Sequence, residues 1–431
     1  MTPVALTRYT ATNALGRGNA AVFEALAAGR TGLRPCACRP PWMAEVPKTQ
    51  EQVFGRPPWM AEVPKTQEQL SGEQVALDMW IGEVAGLDDI TVVERLAEFD
   101  CRNNRLAQLA LEQDGFAAAV AQARARYGAQ RIAVILGTST SGILETEQAY
   151  RHRDPRTGAL PGEFRFATTH NLYATTDFVR RYLELSGPAA MISTACSSSA
   201  KAFASAARLI HAGLADAAVV GGVDSLCRNT LYGFAALDLI GREPCRPCDV
   251  ARGGISIGEA AGFALLERPE HAAAHSGVAL LGAGESSDAW HMSTPHPEGE
   301  GAALAMQRAL ASAGLDASAI DYINMHGTAS RVNDAMEDRA ITTVFGTRTP
   351  ASSTKGWTGH ALGAAGITEA VIAALCIQHG FMPGCLGART LDPAFTSRIL
   401  LKNEQAAVRR VLSNSFGFGG SNASLIFGAL T

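Results

Sequence analysis

Short apolar runs alternate with alanine-rich segments along most of this chain, and the alternation restricts the folds it can adopt. Four short apolar runs are bounded by turn-forming residues: "RIAVILGTS" (131–139), "AAVVGGVDS" (217–225), "GFALLE" (262–267) and "VALLGAGES" (278–286). Between them lie segments with helical spacing, such as "AKAFASAARLIHAGL" (200–214) and "EGAALAMQRALASAGL" (300–315). Fully apolar strands are typical of sheets that helices cover on both faces. The pattern therefore predicts an α/β protein.

The composition excludes several classes of protein. Of the 431 residues, 47% are hydrophobic and 18% are charged, which is typical of a globular protein with a large core. The formal net charge of −4 provides no electrostatic basis for binding nucleic acid or an anionic membrane. The first residues lack the basic region and apolar core of a signal peptide, and no uninterrupted apolar run reaches roughly 18 residues. We expect a cytoplasmic protein without membrane insertion.

The nine cysteines of the chain are best interpreted as reduced thiols, because no export signal is present. Cys245 and Cys248 form a C-x-x-C pair, but a zinc site needs a second ligand pair at a suitable spacing, and none is evident. We therefore expect no metal.

Two stretches bear on domain organisation. The polar segment "ERPEHAAAHSG" (267–277) could divide the chain in two. The segment "RPPWMAEVPKTQEQ" occurs at 39–52 and again at 56–69, with three prolines in each copy. Two copies are fewer than the three or so that a stacked solenoid needs, and proline interrupts helices and sheet ladders. The repeat predicts a surface loop insertion.

The stretch "STACSSSAKA" (193–202) places Cys196 among small residues just before a helical segment. A free cysteine more often packs in a core, and serine clusters more often form turns or helix caps. A helix start, however, offers unpaired N–H groups and partial positive charge, which favour a thiolate. Small neighbours would also admit a substrate carbonyl. Cys196 is therefore a candidate nucleophile.

Two histidines lie in unusual loops. "YINMHGTAS" (322–330) places His326 at the end of a predicted strand, and "SSTKGWTGHALGAAG" (352–366) places Lys355 and His360 in a glycine-rich loop. A lone histidine is more often structural than catalytic, but two in such settings are candidates for acid–base or hydrogen-bonding roles.

The C-terminal stretch "LSNSFGFGGSNASLIFG" (412–428) superficially resembles a phosphate-binding loop. A dinucleotide-binding fingerprint should precede a helix, whereas "ASLIFG" predicts a strand. We interpret the glycines around Phe418 as exposing backbone N–H groups to a ligand.

The chain resembles the β-ketoacyl-ACP synthases of types I and II. The resemblance rests on four motifs that occur together and in this order: "TACSSSA", "HGTAS", "SSTKGWTGHALGAAG" and "NSFGFGGSN". The likeness continues through "CRPCDVARGGISIGEAAGFALLE" (245–267) and covers the first 35 residues and most of the chain from about residue 75. It implies the thiolase fold: two related halves in a five-layer αβαβα arrangement, usually as a homodimer. We place the halves at 1–267, with a loop insertion at 37–74, and at 268–431.

The resemblance also implies a reaction. Cys196 would be acylated by an acyl-ACP, with the oxyanion held by the backbone N–H groups of Cys196 and Phe418. Malonyl-ACP would then lose CO2, and His326 and His360 would donate hydrogen bonds to the enolate that attacks the acyl group. The partner is acyl carrier protein, and no cofactor is implied.

Further residues are assigned supporting roles by the resemblance. Lys355 matches a lysine near His326, and Glu337 matches a glutamate that pairs with that histidine. Thr328 matches a threonine of the pantetheine channel. The ring of Phe418 matches one that gates the acyl pocket.

Some positions depart from the common family pattern. Ser197 and Ser198 stand where "AT" is more usual, and Cys248 replaces a phenylalanine. The "GTSTSG" stretch (137–142), at the floor of the family's acyl pocket, is polar for a long saturated chain. These features are similar to the synthases of bacterial aryl-polyene and xanthomonadin pigment clusters, and they predict a preference for short or conjugated acyl chains.

Three alternative classes of protein share parts of this pattern. A chain-length factor, the partner subunit that has this fold but does not condense, typically carries glutamine in place of Cys196. Type III synthases and thiolases use different partners for their cysteine. A non-enzymatic scaffold would not need Cys196, His326, Lys355 and His360 together. A homodimer and a heterodimer with a related subunit both remain open.

Overall fold

The computed structural model describes residues 1–36, 78–271 and 277–430. The duplicated segment at 39–69 and the whole of the predicted insertion at 37–74 lie outside the described residues.

The strands are β1 (Val4–Asn13), β2 (Gly16–Arg17), β3 (Leu33–Pro35), β4 (Trp80–Gly82), β5 (Ile132–Gly137), β6 (Ala189–Ile192), β7 (Ala217–Asp224), β8 (Ile257–Gly258), β9 (Ala260–Glu267), β10 (Val278–Ser287), β11 (Tyr322–Asn324), β12 (Pro350–Ser352), β13 (Phe381–Met382), β14 (Arg398–Ile399), β15 (Glu404–Gln405), β16 (Arg410–Gly417) and β17 (Ser421–Ala429). The helices are α1 (Gly18–Ala27), α2 (Arg102–Leu111), α3 (Phe116–Tyr127), α4 (Ile143–Arg151), α5 (Leu172–Tyr182), α6 (Ser198–His211), α7 (Arg228–Ala236), α8 (Glu300–Ala313), α9 (Arg331–Phe345), α10 (Lys355–Thr358) and α11 (Ala365–His379). The four apolar runs correspond to β5, β7, β9 and β10, and the two alanine-rich segments to α6 and α8, so these predictions are confirmed.

The same strand order occurs twice in the main sheet. One half runs β6-β5-β7-β9-β1 and the other runs β12-β11-β16-β17-β10. If the five strands of each half are numbered in chain order, both halves have the spatial order 3-2-4-5-1. In both halves the first two pairings in this order are parallel, and the last two are antiparallel. Strands β1 and β10 join the halves by a short antiparallel pairing. The chain therefore contains two halves of one topology, as predicted. Their exact division at residue 267 stays a prediction.

Helices form three layers around the two halves of the sheet. In the middle, α6 packs on β5 and β7, α11 packs on β16 and β9, and the two helices contact each other. The first half is covered on its outer side by α2, α3 and α5. On the second half α8 packs on β10 and β17, with α9 beside it. This is the predicted five-layer arrangement, in which each sheet face is buried against helices.

The central helix α11 is part of a segment that could be mistaken for a membrane-spanning helix. Within the described part of the chain, one helical segment, Leu362–His379, has the length and composition to cross a membrane. However, 83% of it is buried inside the fold. A helix that is apolar on every side is expected in the middle layer of such a protein, so packing accounts for this segment.

The topology brings the candidate residues to one edge. Strand β6 ends shortly before Cys196, β11 shortly before His326, and β12 shortly before Lys355. Strand β16 ends at Gly417, directly before Phe418. Because the carboxyl ends of parallel strands meet at the same edge of a sheet, residues from distant parts of the sequence converge there.

Candidate active site

Cys196 lies in a tight turn between β6 and α6. Ala195 adopts φ 53°, a left-handed conformation that is strained for a residue with a side chain. The hydroxyl of Ser198 donates to the carbonyl of Ala195 at 2.5 Å and accepts from the N–H of Thr194 at 2.9 Å, while Ser197 donates to the carbonyl of Thr194 at 2.9 Å. The serines on the helix side of the thiol therefore hold the strained turn that presents it.

The loop carrying Phe418 closes on this turn. A Cβ on Gly417 would lie 2.7 Å from the carbonyl oxygen of Thr194, so only glycine permits the approach. The backbone N–H of Phe418 lies near enough to the Cys196 sulfur to oppose the rise in the pKa of that thiol. The ring of Phe418 packs on Phe234, with centroids 5.6 Å apart. The N–H of Phe418 thus lies beside the reactive sulfur, and its part in an oxyanion hole stays a prediction.

The thiol and one imidazole are in direct contact. Sγ of Cys196 lies 3.0 Å from Nε2 of His360, and Cys196 is 5% exposed. Burial raises the pKa of the Cys196 thiol to about 12, although the charge of Lys355 and the N–H of Phe418 act in the opposite direction. The helix start therefore does not suffice to make a resting thiolate. The sulfur needs a proton acceptor, and His360 is within reach of its proton.

The second histidine completes the site. The rings of His326 and His360 are nearly perpendicular, with centroids 5.2 Å apart. Burial, assisted by the positive charge of Lys355, lowers the pKa of both histidines well below its usual range. Both rings are therefore neutral, and each can donate one hydrogen bond.

Lys355 determines which nitrogen of His326 carries the proton. Its Nζ lies 3.4 Å from Nδ1 of His326 and also donates to the carbonyl of that residue. An ammonium group can only donate, so Nδ1 accepts and the proton resides on Nε2. His326 is thereby prepared as a hydrogen-bond donor.

The charge of Lys355 is balanced by Glu369, which the sequence analysis missed. Nζ lies 2.5 Å from Oε1 of Glu369, and the two residues are 1% and 2% exposed. The sequence signal that could have identified Glu369 is its position as the one acidic residue of the mostly apolar helix α11.

Glu337 binds backbone N–H groups beside His326. Its carboxylate accepts the N–H groups of His326 at 2.8 Å and Gly327 at 2.7 Å, and the amide of Asn414 at 3.1 Å. Burial raises the pKa of Glu337 to about 7. Glu337 thus pairs with the backbone of His326 and positions the loop after β11.

Removing one partner of the buried ion pair should destabilise the protein. In Lys355→Met, Glu369 would be left as an uncompensated buried carboxylate, so we expect the free energy of unfolding to fall by about 3–5 kcal/mol. The double variant Lys355→Met/Glu369→Leu should recover much of this loss. Urea denaturation of the three proteins measures both effects. Equal stability of the parent and the single variant would contradict a buried, charged pair.

A cavity of about 560 Å³ leads from the surface to these groups. Cys196, His326 and His360 lie at its inner end, and Thr328 and Phe418 also line it. Thr328, predicted for a pantetheine channel, is buried and donates to Ser330 at 3.1 Å. The structure therefore brings every predicted site residue to this cavity or to the groups that support it.

Ligand atoms of Cys196, His326 and His360 lie within 4.8 Å of one another, a separation that could in principle hold a metal ion. The ammonium of Lys355 at Nδ1 of His326 opposes a cation there, because a metal on Nε2 would move the ring proton to Nδ1. The three side chains are better suited to acting on an acyl group.

Family comparisons agree with this geometry. The model of the beta-ketoacyl synthase N-terminal domain matches residues 91–272, and that of the C-terminal domain matches residues 278–389. The 3-oxoacyl-[acyl-carrier-protein] synthase 2 of Rhizobium meliloti is 39% identical over 316 residues, which is 68% of this chain and 73% of that protein. The mitochondrial 3-oxoacyl-[acyl-carrier-protein] synthase of Arabidopsis thaliana is 41% identical over 262 residues. That match is 57% of this chain, and it spans little more than half, 57%, of the Arabidopsis protein.

Solved structures give the same result. A chain of the complex between a ketosynthase and its chain length factor from Xenorhabdus doucetiae is 37% identical, with a TM-score of 0.81 over 100% of this chain and 98% of that one. A beta-ketoacyl synthase from Burkholderia phymatum is 26% identical, with a TM-score of 0.80 and 100% of both chains covered. With its fold, its site and these relatives considered together, the chain belongs to the β-ketoacyl synthase family.

Proposed function

We propose that this chain is a β-ketoacyl-ACP synthase, an acyltransferase that condenses malonyl-ACP with an acyl group held on Cys196. The observation that carries the proposal is the contact of 3.0 Å between the Cys196 thiol and a neutral imidazole, with a second imidazole beside it at the inner end of the cavity. The relatives named 3-oxoacyl-[acyl-carrier-protein] synthases support it.

Acylation begins with transfer of the Cys196 proton to Nε2 of His360. Among the described residues Nδ1 of His360 has no hydrogen-bond partner, so the neutral ring can carry its proton on Nδ1 and leave Nε2 free to accept. The thiolate attacks the thioester carbonyl, and the N–H groups of Cys196 and Phe418 stabilise the oxyanion. Collapse of this intermediate expels the carrier thiolate, which takes the proton back from His360.

Condensation uses the histidines as donors. When malonyl-ACP loses CO2, negative charge develops on its thioester oxygen, and Nε2–H of His326 donates to that oxygen. After acylation Nε2 of His360 no longer has a thiol proton to accept, so the ring can lose its Nδ1 proton and take one up on Nε2, and this tautomer supplies a second hydrogen bond. The enolate carbon then attacks the acyl carbonyl, and Cys196 leaves as the thiolate. The product is a β-ketoacyl-ACP that is longer by two carbons.

The direct test follows both half-reactions. The protein is incubated with a panel of acyl-ACPs, and intact mass and peptide mapping locate the acyl group. Malonyl-ACP is then added and the carrier is analysed for the β-ketoacyl product. We expect acylation at Cys196 followed by chain transfer. Absence of an adduct with every carrier would refute the proposal.

The alternative of a non-condensing chain-length-factor-like subunit is less well supported. The Xenorhabdus structure contains both kinds of subunit in one complex. A subunit that does not condense has no use for the nucleophile, yet here Cys196 is presented by a strained turn and contacts His360.

A second subunit would cover an open edge of the sheet. Strand β6 lies at one end of the strand order, and within the described residues it pairs only with β5. Exposed apolar strand edges tend to associate unless they are covered. We propose that a second copy or a related subunit pairs at this edge. We also propose that the assembly, which acts on carrier proteins, is cytoplasmic. Sedimentation of the purified chain alone distinguishes the homodimer from a chain that requires a partner.

We also propose membership of the aryl-polyene type of synthase, with a preference for short or conjugated acyl groups. The motivation is the polar "GTSTSG" stretch (137–142). Competition between hexanoyl-, hexadienoyl- and dodecanoyl-ACP for Cys196 should favour the first two. Fastest acylation by dodecanoyl-ACP would indicate ordinary fatty-acid elongation instead.

One period of the duplicated segment should be dispensable. Deleting residues 39–55 shortens the predicted surface loop, and halving a loop changes its closure free energy by only about 0.6 kcal/mol. We expect a nearly unchanged melting temperature and condensation rate. Loss of folding would show that the repeat contributes to the core. A raised KM for carrier substrates with normal folding would show that it helps to bind the carrier.

A further inference from the structure

The mechanism makes no use of Asp224, a fully buried carboxylate at the end of β7. Three consecutive residues of one loop donate hydrogen bonds to this carboxylate. Oδ1 accepts the hydroxyls of Thr138 and Thr140, each at 2.7 Å, and the N–H groups of Ser139 at 2.9 Å and Thr140 at 2.8 Å. Oδ2 accepts the N–H of Ser139 at 3.0 Å. The carboxylate therefore holds the loop by both its side chains and its backbone.

The loop turns sharply around this anchor. Ser141 adopts φ 46°, another left-handed conformation at a residue with a side chain, and its N–H donates to the hydroxyl of Thr138 at 2.9 Å. Backbone strain of this kind persists only where surrounding contacts impose it. We define residues 138–141 as the anchored loop.

The anchored loop lies directly behind the catalytic groups. A Cβ on Gly363, three residues after His360, would lie 2.7 Å from Oδ2 of Asp224 and 2.8 Å from the N–H nitrogen of Ser139. Gly137, which precedes the loop, packs equally closely on Ser198 and Ser199 at the start of α6. The charge of Asp224 is near enough to the Cys196 thiol to oppose its ionisation. The hydrogen bonds of Asp224 to the anchored loop give this carboxylate a structural role instead.

The acyl group on Cys196 has to extend towards this loop. In the proposed mechanism the 560 Å³ cavity has to admit the carrier arm during acylation and then, once that arm has left, the arm of malonyl-ACP. The acyl chain therefore cannot remain there and must point inward, past Cys196 and His360. No residue of the anchored loop lines that cavity, and its close contacts with Gly363 and with the start of α6 place it on the other side of Cys196 and His360. The Oγ of Ser139 is buried and has no hydrogen-bond partner among the described residues, which leaves a polar atom available on the loop.

We infer that Asp224 is a specificity-determining residue that limits acyl-chain length by fixing the anchored loop across the inner end of the acyl site. The inference rests on the proposed synthase function. Asp224 acts through the loop and does not touch the reacting atoms. Loosening the anchor should admit longer chains, and rigid anchoring should favour shorter ones.

Two variants test the anchor, and a third is a matched control. Thr140→Val removes one hydroxyl–carboxylate hydrogen bond at constant shape, and Asp224→Asn turns an amide towards N–H groups that need an acceptor. The control is Thr10→Val, because Oγ1 of Thr10 also donates to a carboxylate, that of Asp114, at 2.7 Å, but lies on β1 away from the site. Acylation of Cys196 by hexanoyl- and dodecanoyl-ACP is followed by intact mass.

We expect the ratio of dodecanoyl to hexanoyl acylation rates to rise about tenfold in Thr140→Val, because this variant loses one hydrogen bond to a charged group. The ratio should rise further in Asp224→Asn. The ratio should be unchanged in Thr10→Val. An unchanged ratio in Thr140→Val, with both rates equal to the parent's or reduced alike, would overturn the inference. Thr140→Val decides the matter if Asp224→Asn does not fold. Failure of the parent protein to be acylated by any carrier would refute the proposed function instead.

Discussion

Cys196→Ala is expected to abolish both acyl transfer and condensation while leaving the fold intact. Removing the covalent nucleophile of an enzyme costs on the order of 10⁶ in turnover. The hydrogen bonds of Ser197 and Ser198 hold the turn without involving the sulfur, so alanine fits the same backbone. Acylation is measured by intact mass after incubation with acyl-ACP, and condensation by the β-ketoacyl product.

A matched control is Cys376→Ala, which removes an equally buried free thiol from the middle of α11. This variant should lose some stability but remain acylated at Cys196. Circular dichroism and thermal unfolding verify the folding of both variants. Substantial condensing activity in Cys196→Ala would overturn the assignment of the nucleophile and the synthase function with it.

His326→Ala and His360→Ala are each expected to reduce malonyl-ACP decarboxylation about 10²–10³-fold. The reason is the loss of one preorganised donor to the enolate oxygen, which typically costs on the order of 3 kcal/mol. The measurement is release of CO2 from malonyl-ACP at saturating substrate. His379→Ala is the control, because this ring stacks on Phe23 and lies outside the cavity.

The two variants should differ in the first half-reaction. His360 contacts the Cys196 sulfur directly, so His360→Ala should slow acylation of Cys196 as well. In His326→Ala that contact remains, and acylation should be close to the parent rate. Parent-like decarboxylation in both variants would show that neither ring stabilises the enolate. Equal impairment of acylation in both would show that the proton acceptor is not His360 alone.

The positions of the strands and helices followed from the sequence because they depend on local patterns. Continuous apolar runs identified β5, β7, β9 and β10, and alanine-rich helical spacing identified α6 and α8. These signals are periodicities over a few residues, which a single segment contains in full. The motifs around Cys196, His326 and His360 were recognisable for the same reason, since each is a short run of unusual residues.

The ionisation of the site was decided by the tertiary structure. The helix start predicted a stabilised thiolate, but burial from all sides raises the pKa of Cys196 to about 12. Burial depends on every segment packed around a group, so one segment does not contain that information. The same holds for the proton on Nε2 of His326, which depends on Lys355, 29 positions away.

The amino-acid sequence alone thus determined the fold class and the two-part organisation, and it identified the candidate residues for the chemistry. Only the tertiary structure decided that Cys196 and His360, 164 positions apart, are in contact, that Glu369 balances Lys355, and that Asp224 anchors the loop behind the nucleophile. The physical reason is that hydrogen bonds and ion pairs act over about 3 Å in space. Which distant residues come that close is determined by how the layers pack, and local sequence patterns carry no record of that distance.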